Sequence, residues 1–221
     1  MSHPTPSAFA ASPPRTTATV AWPDAARHAA FDAWLAPLAA AQGLQPDTLR
    51  PASADASFRR YLRIDTGTPC QSCVVMDAPP DKENCRPFVQ VQALLQQAGL
   101  HAPQILAWDE ANGFMLLSDL GQQTVIEKLD PAAPQDAYAW YQQATDTLLQ
   151  WQLASRPGVL PVYDEPLLRR ELALFPDWYV AQHRSITLDA SQQAVLDHAF
   201  NRIVAHNLDA PSVFVHRDFM T

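Results

Sequence analysis

Cysteine is scarce: the 221 residues carry three, Cys70, Cys73 and Cys85. An odd, low count argues against a disulfide framework and suits a reducing compartment. Cys70-x-x-Cys73 has the spacing of a redox or zinc pair. No second pair or histidine follows at ligand spacing, and an apolar strand begins at once, so the spacing is read as incidental. Glycine is scarce too, with 6 in all, and no glycine-rich dinucleotide fingerprint occurs. Gly-x-x-x-x-Gly-Lys-Ser/Thr, His-Glu-x-x-His and Gly-x-Ser-x-Gly are all missing. Their absence excludes a Walker-type phosphate loop, a zincin helix and a hydrolase nucleophile elbow. His101, His183, His198 and His206 lack metal-ligand spacing, so no metal site is expected from side chains alone.

Long basic and long apolar runs are missing as well. Net charge is −8 and the pI about 5.2, with only short cationic clusters at Arg59-Arg60 with Arg63 and at Arg169-Arg170. A nucleic-acid backbone needs a basic face, so that partner class is excluded. No run approaches the ~18 apolar residues that a membrane span needs. The first 20 residues are rich in Pro, Ser, Thr and Ala, without a basic start leading into an apolar stretch. That is no secretory signal. A disordered tail over 1–22, on a cytoplasmic, monomeric protein, is the expectation.

What is present is an ordinary globular balance, 48% hydrophobic and 17% charged. A chain of this length removes about 70% of its unfolded surface from water. Phe31, Trp34, Leu35 and Leu38 make a stripe at 3- and 4-residue spacing, which predicts a helix over 24–42 with a kink at Pro37 and a stop at Gly43. The period then changes. Phe58 to Asp65 and Cys73 to Ala78 read as strands, Arg86 to Ala98 as a helix, and Gln104 to Trp108 and Phe114 to Ser118 as strands joined at Asn112-Gly113. After Leu120 the pattern is helical. One helix opens at Pro134, with Tyr138, Tyr141, Leu148 and Trp151 inward. A second is capped by Asp164, with Leu168, Leu172, Phe175 and Tyr179 inward. A third runs over 189–207, with Val195, Ala199, Phe200 and Ile203 inward. Val213 to His216 reads as a final strand.

The most informative triplet is His216-Arg217-Asp218, directly after that strand. Phosphoryl transfer needs a carboxylate beside the attacking hydroxyl, to orient it and take its proton. An Asp just past a buried strand is held rigidly, with His216 bracing the loop from inside. Alone, the triplet is equally a strand end with a capping Asp. Its context adds Asp55 to Tyr61 (DASFRRY), Val74 to Pro80 (VVMDAPP), Leu116 to Gly121 (LLSDLG) and Leu167 to Trp178 (LLRRELALFPDW) in that order. This succession resembles the aminoglycoside phosphotransferase family, and within it the bacterial N-acetylmuramate/N-acetylglucosamine anomeric kinases. The resemblance covers about residues 24–221.

The resemblance implies an α+β, two-lobed protein-kinase-like fold. A small antiparallel-sheet lobe would span 23–118. A mostly helical lobe would span 119–221, incomplete at its C-terminus. It implies ATP and Mg²⁺, and a small-molecule substrate with a hydroxyl acceptor, an amino sugar by likeness. Residue by residue, Asp218 would be the catalytic base, with His216 in the same loop. Ser57 would lie near the tip of the phosphate-covering hairpin. Leu116 to Leu120 would be the hinge, with Leu117 at the adenine pocket and the Ser118 carbonyl and Leu120 amide on adenine.

Two departures follow. Met76 stands where kinase-like folds carry a cation on the third strand. Strand alternation puts Arg59, Tyr61 and Arg63 on one face. Either arginine could supply the missing cation, or both are solvated charges on an exposed face. The family loop is His-x-Asp-x-x-x-x-Asn, and this sequence stops three positions after Asp218. The expectation is that the two metal-binding positions are missing and that these residues alone do not turn over ATP. Glu171, with Arg169 and Arg170, is read either as sugar-binding or as the wet face of a helix. Trp178 is read either as a sugar-stacking ring or as core. The rival functions are a catalytically dead nucleotide-binding module and an aminoglycoside- or choline-type kinase.

Overall fold

The structure is a computed structural model, and it describes residues 20–54, 57–68 and 71–219. The chain divides into two compact units, Met1–Gln123 and Thr124–Thr221. Most of the tail expected over 1–22, and Cys70 of the Cys-x-x-Cys pair, lie outside the described residues. No helix among the described residues is long and apolar enough to cross a membrane.

The first unit opens with α1 (Ala25–Gln42). Asp24 caps it by accepting from the Arg27 amide at 2.7 Å, and Gly43 ends it in the left-handed conformation, φ 67°. Then come β1 (Leu44–Ala54), β2 (Arg60–Thr66), β3 (Ser72–Asp77), α2 (Arg86–Gln97), β4 (Ile105–Asp109) and β5 (Phe114–Ser118). The strands form one antiparallel sheet in the order β1-β2-β3-β5-β4.

β1 was not expected. Its Pro46 and Pro51 and its lack of alternation hide it, and both are tolerated because it is an edge strand with two register shifts. β2 starts later than expected, at Arg60, because the Phe58 amide donates to the Glu83 carboxylate at 3.0 Å instead of joining the ladder.

Alternation gives the sheet two apolar faces. Phe31 and Leu35 of α1 pack with Leu62, Ile64, Val75, Phe114 and Leu116 on one. On the other, Met76, Met115 and Leu117 pack with Cys85 and with the partly buried Phe88 and Val89 of α2. A buried ion cluster joins α1 to the sheet. Asp77, 1% exposed, accepts from Arg27 Nε at 3.1 Å and Nη2 at 2.5 Å on one oxygen, and from the Arg60 guanidinium on the other. Arg27 Nη1 also donates to the Asn112 carbonyl at 2.7 Å, tying in the β4–β5 turn.

The second unit contains α3 (Val125–Lys128), α4 (Pro134–Leu153), α5 (Glu165–Leu174), a π-helix (Phe175–His183) and α6 (Ala190–Asp209). The π-helix begins where Pro176 has no amide to continue α5, and Arg184 N–H donates five residues back to the Tyr179 carbonyl.

Two expectations fail in this unit. The stripes expected to face inward are largely exposed, with Tyr138 at 72%, Val195 at 69%, and Phe175, Tyr179 and Ile203 also exposed. Burial needs a second element over each stripe, and none covers them among the described residues of this unit. Trp151, Val180, Val204 and Phe214 are the buried apolar side chains there. Val213 to His216 forms no strand, because among the described residues no neighbour offers it a ladder. Its Phe214 amide donates to Ser155 Oγ at 2.8 Å, and the Phe214 ring packs on Trp151 at 4.7 Å between centroids.

The expected Asn112-Gly113 turn forms, and its glycine is demanding. Gly113 has φ 69°, and a Cβ there would lie 1.9 Å from the Ala78 carbonyl oxygen. Gly113→Ala should therefore lower the unfolding free energy by about 2–4 kcal/mol, from left-handed strain plus the clash. Urea denaturation measures it, and an unchanged midpoint would contradict the turn geometry.

Candidate functional site

Three short segments of the first unit carry the predicted nucleotide residues. The first precedes β2. Ser57 Oγ accepts from both the Arg59 amide and Arg59 Nε, each at 3.2 Å. Arg59 Nε also lies 3.5 Å from Glu83 Oε2, while the other Glu83 oxygen accepts from the Phe58 amide. Glu83, ahead of α2, thus holds both the backbone and the cation of this segment. Asp55 and Ala56 lie outside the described residues.

The second segment is the middle of the sheet. Met76 is 0% exposed and packed in the cluster on the α2 face, so no cation stands at its place on β3. Registers align Arg63 with Val74 and Val74 with Leu117, and Tyr61 with Met76 and Met76 with Met115. Tyr61 and Arg63 therefore share the α2 face, as alternation predicts, while Arg59 lies before the strand and is held by Glu83 instead. That face is not a wet one. Tyr61 packs against the cluster, and the Arg63 side chain is 13% exposed.

The third segment is the expected hinge, 116–120. Leu117 is buried, and Leu120 is half exposed. Ser118 is pinned to the chain before β4: its amide donates to the Gln104 carbonyl at 2.9 Å, and its hydroxyl accepts from the Gln104 amide at 2.8 Å. The Arg63 guanidinium is directed here. It donates to Asp119 through Nε at 2.6 Å and Nη2 at 3.2 Å, and to the Gly121 carbonyl at 3.0 Å. Ser72 Oγ at 2.6 Å and the Gly121 amide at 2.9 Å complete the Asp119 shell. Burial pushes the Asp119 carboxyl up, but the hydrogen bonds from Arg63, Ser72 and the Gly121 amide outweigh it and hold its pKa below the usual carboxylate value. Arg63 is thus engaged with Asp119 and the Gly121 carbonyl, and Arg59 with Ser57 and Glu83.

In the second unit, Glu171 Oε1 accepts from Arg217 Nη2 at 3.2 Å and from Arg170 Nη2 at 3.5 Å. Arg217 has φ 71°, an uncommon value for a residue with a side chain, and its guanidinium stands 5.7 Å from the Tyr163 ring centre. The Asp218 amide donates to the His216 carbonyl at 3.0 Å, closing a tight turn at Arg217. Glu171 and Arg170 are therefore brought to the predicted catalytic segment. Asp218 itself is exposed, and Trp178 is 66% exposed on the π-helix, so it is not core. His216 is exposed against Phe219 and does not brace the segment from inside; Phe214 does.

Sequence reasoning missed Glu83, Ser72, Asp119 and Arg217 as partners. Asp119 and Arg217 stood inside quoted motifs, where their charge was a usable signal. Ser72 and Glu83 carried none, because only sheet pairing and the loop path bring them to Asp119 and Arg59. Among the described residues no three His, Cys, Asp or Glu side chains converge as a metal site.

An antiparallel-sheet unit with one helix packed on each face, followed by a helical unit that carries His216-Arg217-Asp218, is the α+β arrangement of the protein-kinase-like fold. The profile of the phosphotransferase enzyme family matches residues 48–221, and the chain belongs to that family. It is 49% identical over 193 residues to the N-acetylmuramate/N-acetylglucosamine kinase of Pseudomonas aeruginosa, covering 86% of this chain and 56% of that protein. The proteins of the same name from Pseudomonas putida and Neisseria meningitidis serogroup B are 43% and 39% identical. Those matches cover 78% and 76% of this chain and 50% of each relative. The chain thus spans about half the length of the curated relatives it matches.

The Asp119 shell makes stability depend on pH with a definite sign. A carboxyl whose folded pKa is depressed stabilises above its unfolded value, near 3.9, and loses that contribution as pH falls through the folded pKa. Asp119→Asn should lower stability at pH 7 by about 1–3 kcal/mol, with the gap to the parent closing below about pH 4. Denaturation series across pH would show it. A gap that stays constant with pH would contradict the charge-assisted shell.

Proposed function

We propose that this chain is the nucleotide-binding and catalytic-loop portion of an ATP-dependent phosphotransferase that acts on a hydroxyl of a small amino sugar. The substrate class is N-acetylmuramate and N-acetylglucosamine, phosphorylated at the anomeric hydroxyl. The observation that carries the reading is the match to three kinases so named, on a chain that keeps both the braced hinge and the His216-Arg217-Asp218 loop. A cytoplasmic, monomeric protein suits such a reaction.

In this reading the Ser118 carbonyl and Leu120 amide meet adenine beside Leu117, and Ser57 and Arg59 meet the phosphates. The Arg59–Glu83 pair supports that role. A cation that must reach phosphates from beside a buried methionine is best oriented by a neighbouring carboxylate, as ion-paired lysines are in kinases. Asp218 orients the acceptor hydroxyl and takes its proton. Glu171 and Arg170 shape the loop's surroundings through Arg217 and, with Trp178, contact the sugar. Mg²⁺ would accompany the nucleotide and neutralise charge on its phosphates. The described side chains do not by themselves form a site for it. The buried Met76 favours one second reading, a module that binds nucleotide without chemistry.

The test is sugar-dependent ADP release by the full-length protein with MgATP and either N-acetyl sugar. Asp218→Asn should lower kcat by about 10²–10⁴-fold, the usual worth of a general base. Arg59→Ala should weaken ATP binding by about 1–3 kcal/mol. ATP binding without sugar-dependent turnover would leave the second reading standing. No ATP binding at all would overturn both.

A further inference from the structure

The described part of the hinge is unusual in being held at both ends of a three-residue segment, 119–121. Asp119 is anchored by Arg63 of β2 and Ser72 of β3, and the Arg63 and Asp119 side chains are 13% and 6% exposed. Gly121 is anchored through both its amide, on Asp119, and its carbonyl, on Arg63. Its φ of 116° is open to glycine alone in practice, and nothing crowds its missing Cβ. Leu120 lies between the two anchors. Its side chain is half exposed, and its amide has no hydrogen-bond partner among the described residues. Arg63 thus spends its donors on a carboxylate and a carbonyl that belong to the hinge.

We propose that Asp119, clamped by Arg63 and Ser72, is a positioning residue that presets the Leu120 amide to donate to the edge of a purine base. The inference rests on the nucleotide reading above and adds the residues that make the hinge rigid. A hydrogen bond to a base edge needs a donor–acceptor distance of about 2.7–3.2 Å and a near-linear approach. A free loop would have to be ordered at the moment of binding, and that ordering is charged against affinity. Two strands, two side chains and a glycine turn complete the ordering beforehand. A mechanical consequence separates this role from a phosphate contact. A clamp acting on the base edge affects adenosine and ATP alike, whereas an arginine on the phosphates affects ATP alone.

The experiment is calorimetric titration of adenosine and of ATP into the full-length protein and its Arg63→Gln, Asp119→Asn and Ser72→Ala variants. Thermal melting and near-ultraviolet circular dichroism serve as checks of folding. Arg63→Gln and Asp119→Asn should weaken both ligands by a common factor of about 5–20, and Ser72→Ala by a smaller common factor. In turnover, the KM for ATP should rise by more than kcat falls. Ser72→Ala removes one hydroxyl and no charge, so it carries the test if a charge change disturbs folding. Loss confined to ATP would overturn the proposal in favour of a phosphate contact. Unaltered adenosine affinity in the folded variants would overturn it as well. Failure of the unsubstituted protein to bind either ligand would remove the nucleotide reading and this inference together, and so tells the two failures apart.

Discussion

The first unit depends on one buried carboxylate. Asp77 sits at the end of β3, almost fully enclosed, and a lone charge there would cost several kcal/mol in lost hydration. Two guanidinium groups meet it, Arg27 from α1 and Arg60 from β2. Each cation also lies on an aromatic face, Arg27 at 4.1 Å from the Phe114 ring centre and Arg60 at 4.7 Å from that of Trp22. The cluster sets the position of α1 over the sheet, and α1 contributes Phe31 and Leu35 to the core. Removing one partner from such a buried pair typically costs about 3–5 kcal/mol, because the other charge is stranded. The interaction thus dictates where the helix lies more than it adds to net stability.

Arg63 and Asp119 repeat the device on the opposite face. The alternation that sends Arg60 towards α1 sends Arg63 towards the α2 side, so neighbouring basic residues of one strand serve different ends. The contrast with Met76 is informative. Met76 of β3 is an apolar side chain in a dry cluster, whereas Arg59 lies in the loop before β2. There Glu83 both holds the Phe58 amide out of the ladder and stands beside the Arg59 guanidinium. Shape and electrostatics of that loop are set by the same carboxylate.

Much of the first unit was legible in its sequence, because its elements follow from local rules. The stripe of Phe31, Trp34, Leu35 and Leu38 made a helix, Asn112-Gly113 made a turn, and alternation predicted the shared face of Tyr61 and Arg63. β1 was illegible because an edge strand with prolines and bulges keeps no period. The second unit was legible in its helices but not in their burial. Periodicity tells which residues share a face, and it is silent on whether anything covers that face. Val213 to Val215 shows the same limit for strands, since β propensity without a partner makes no ladder.

Motif order and residue type by themselves determined the family and the helical or extended character of most segments. These are local properties, written in spacing and composition. Tertiary structure decided which charges meet. Arg63 and Asp119 are far apart along the chain and came together because β2, β3 and β5 pair in one register. Glu171 met Arg217 only because α5 and the turn at Arg217 converge in the second unit. A side chain's chemistry is carried by its own residue, but its partner is chosen by the path of the backbone. For that reason the partners of Arg59 and Arg63, Glu83 and Asp119, were not readable in the sequence and are distinct in the fold.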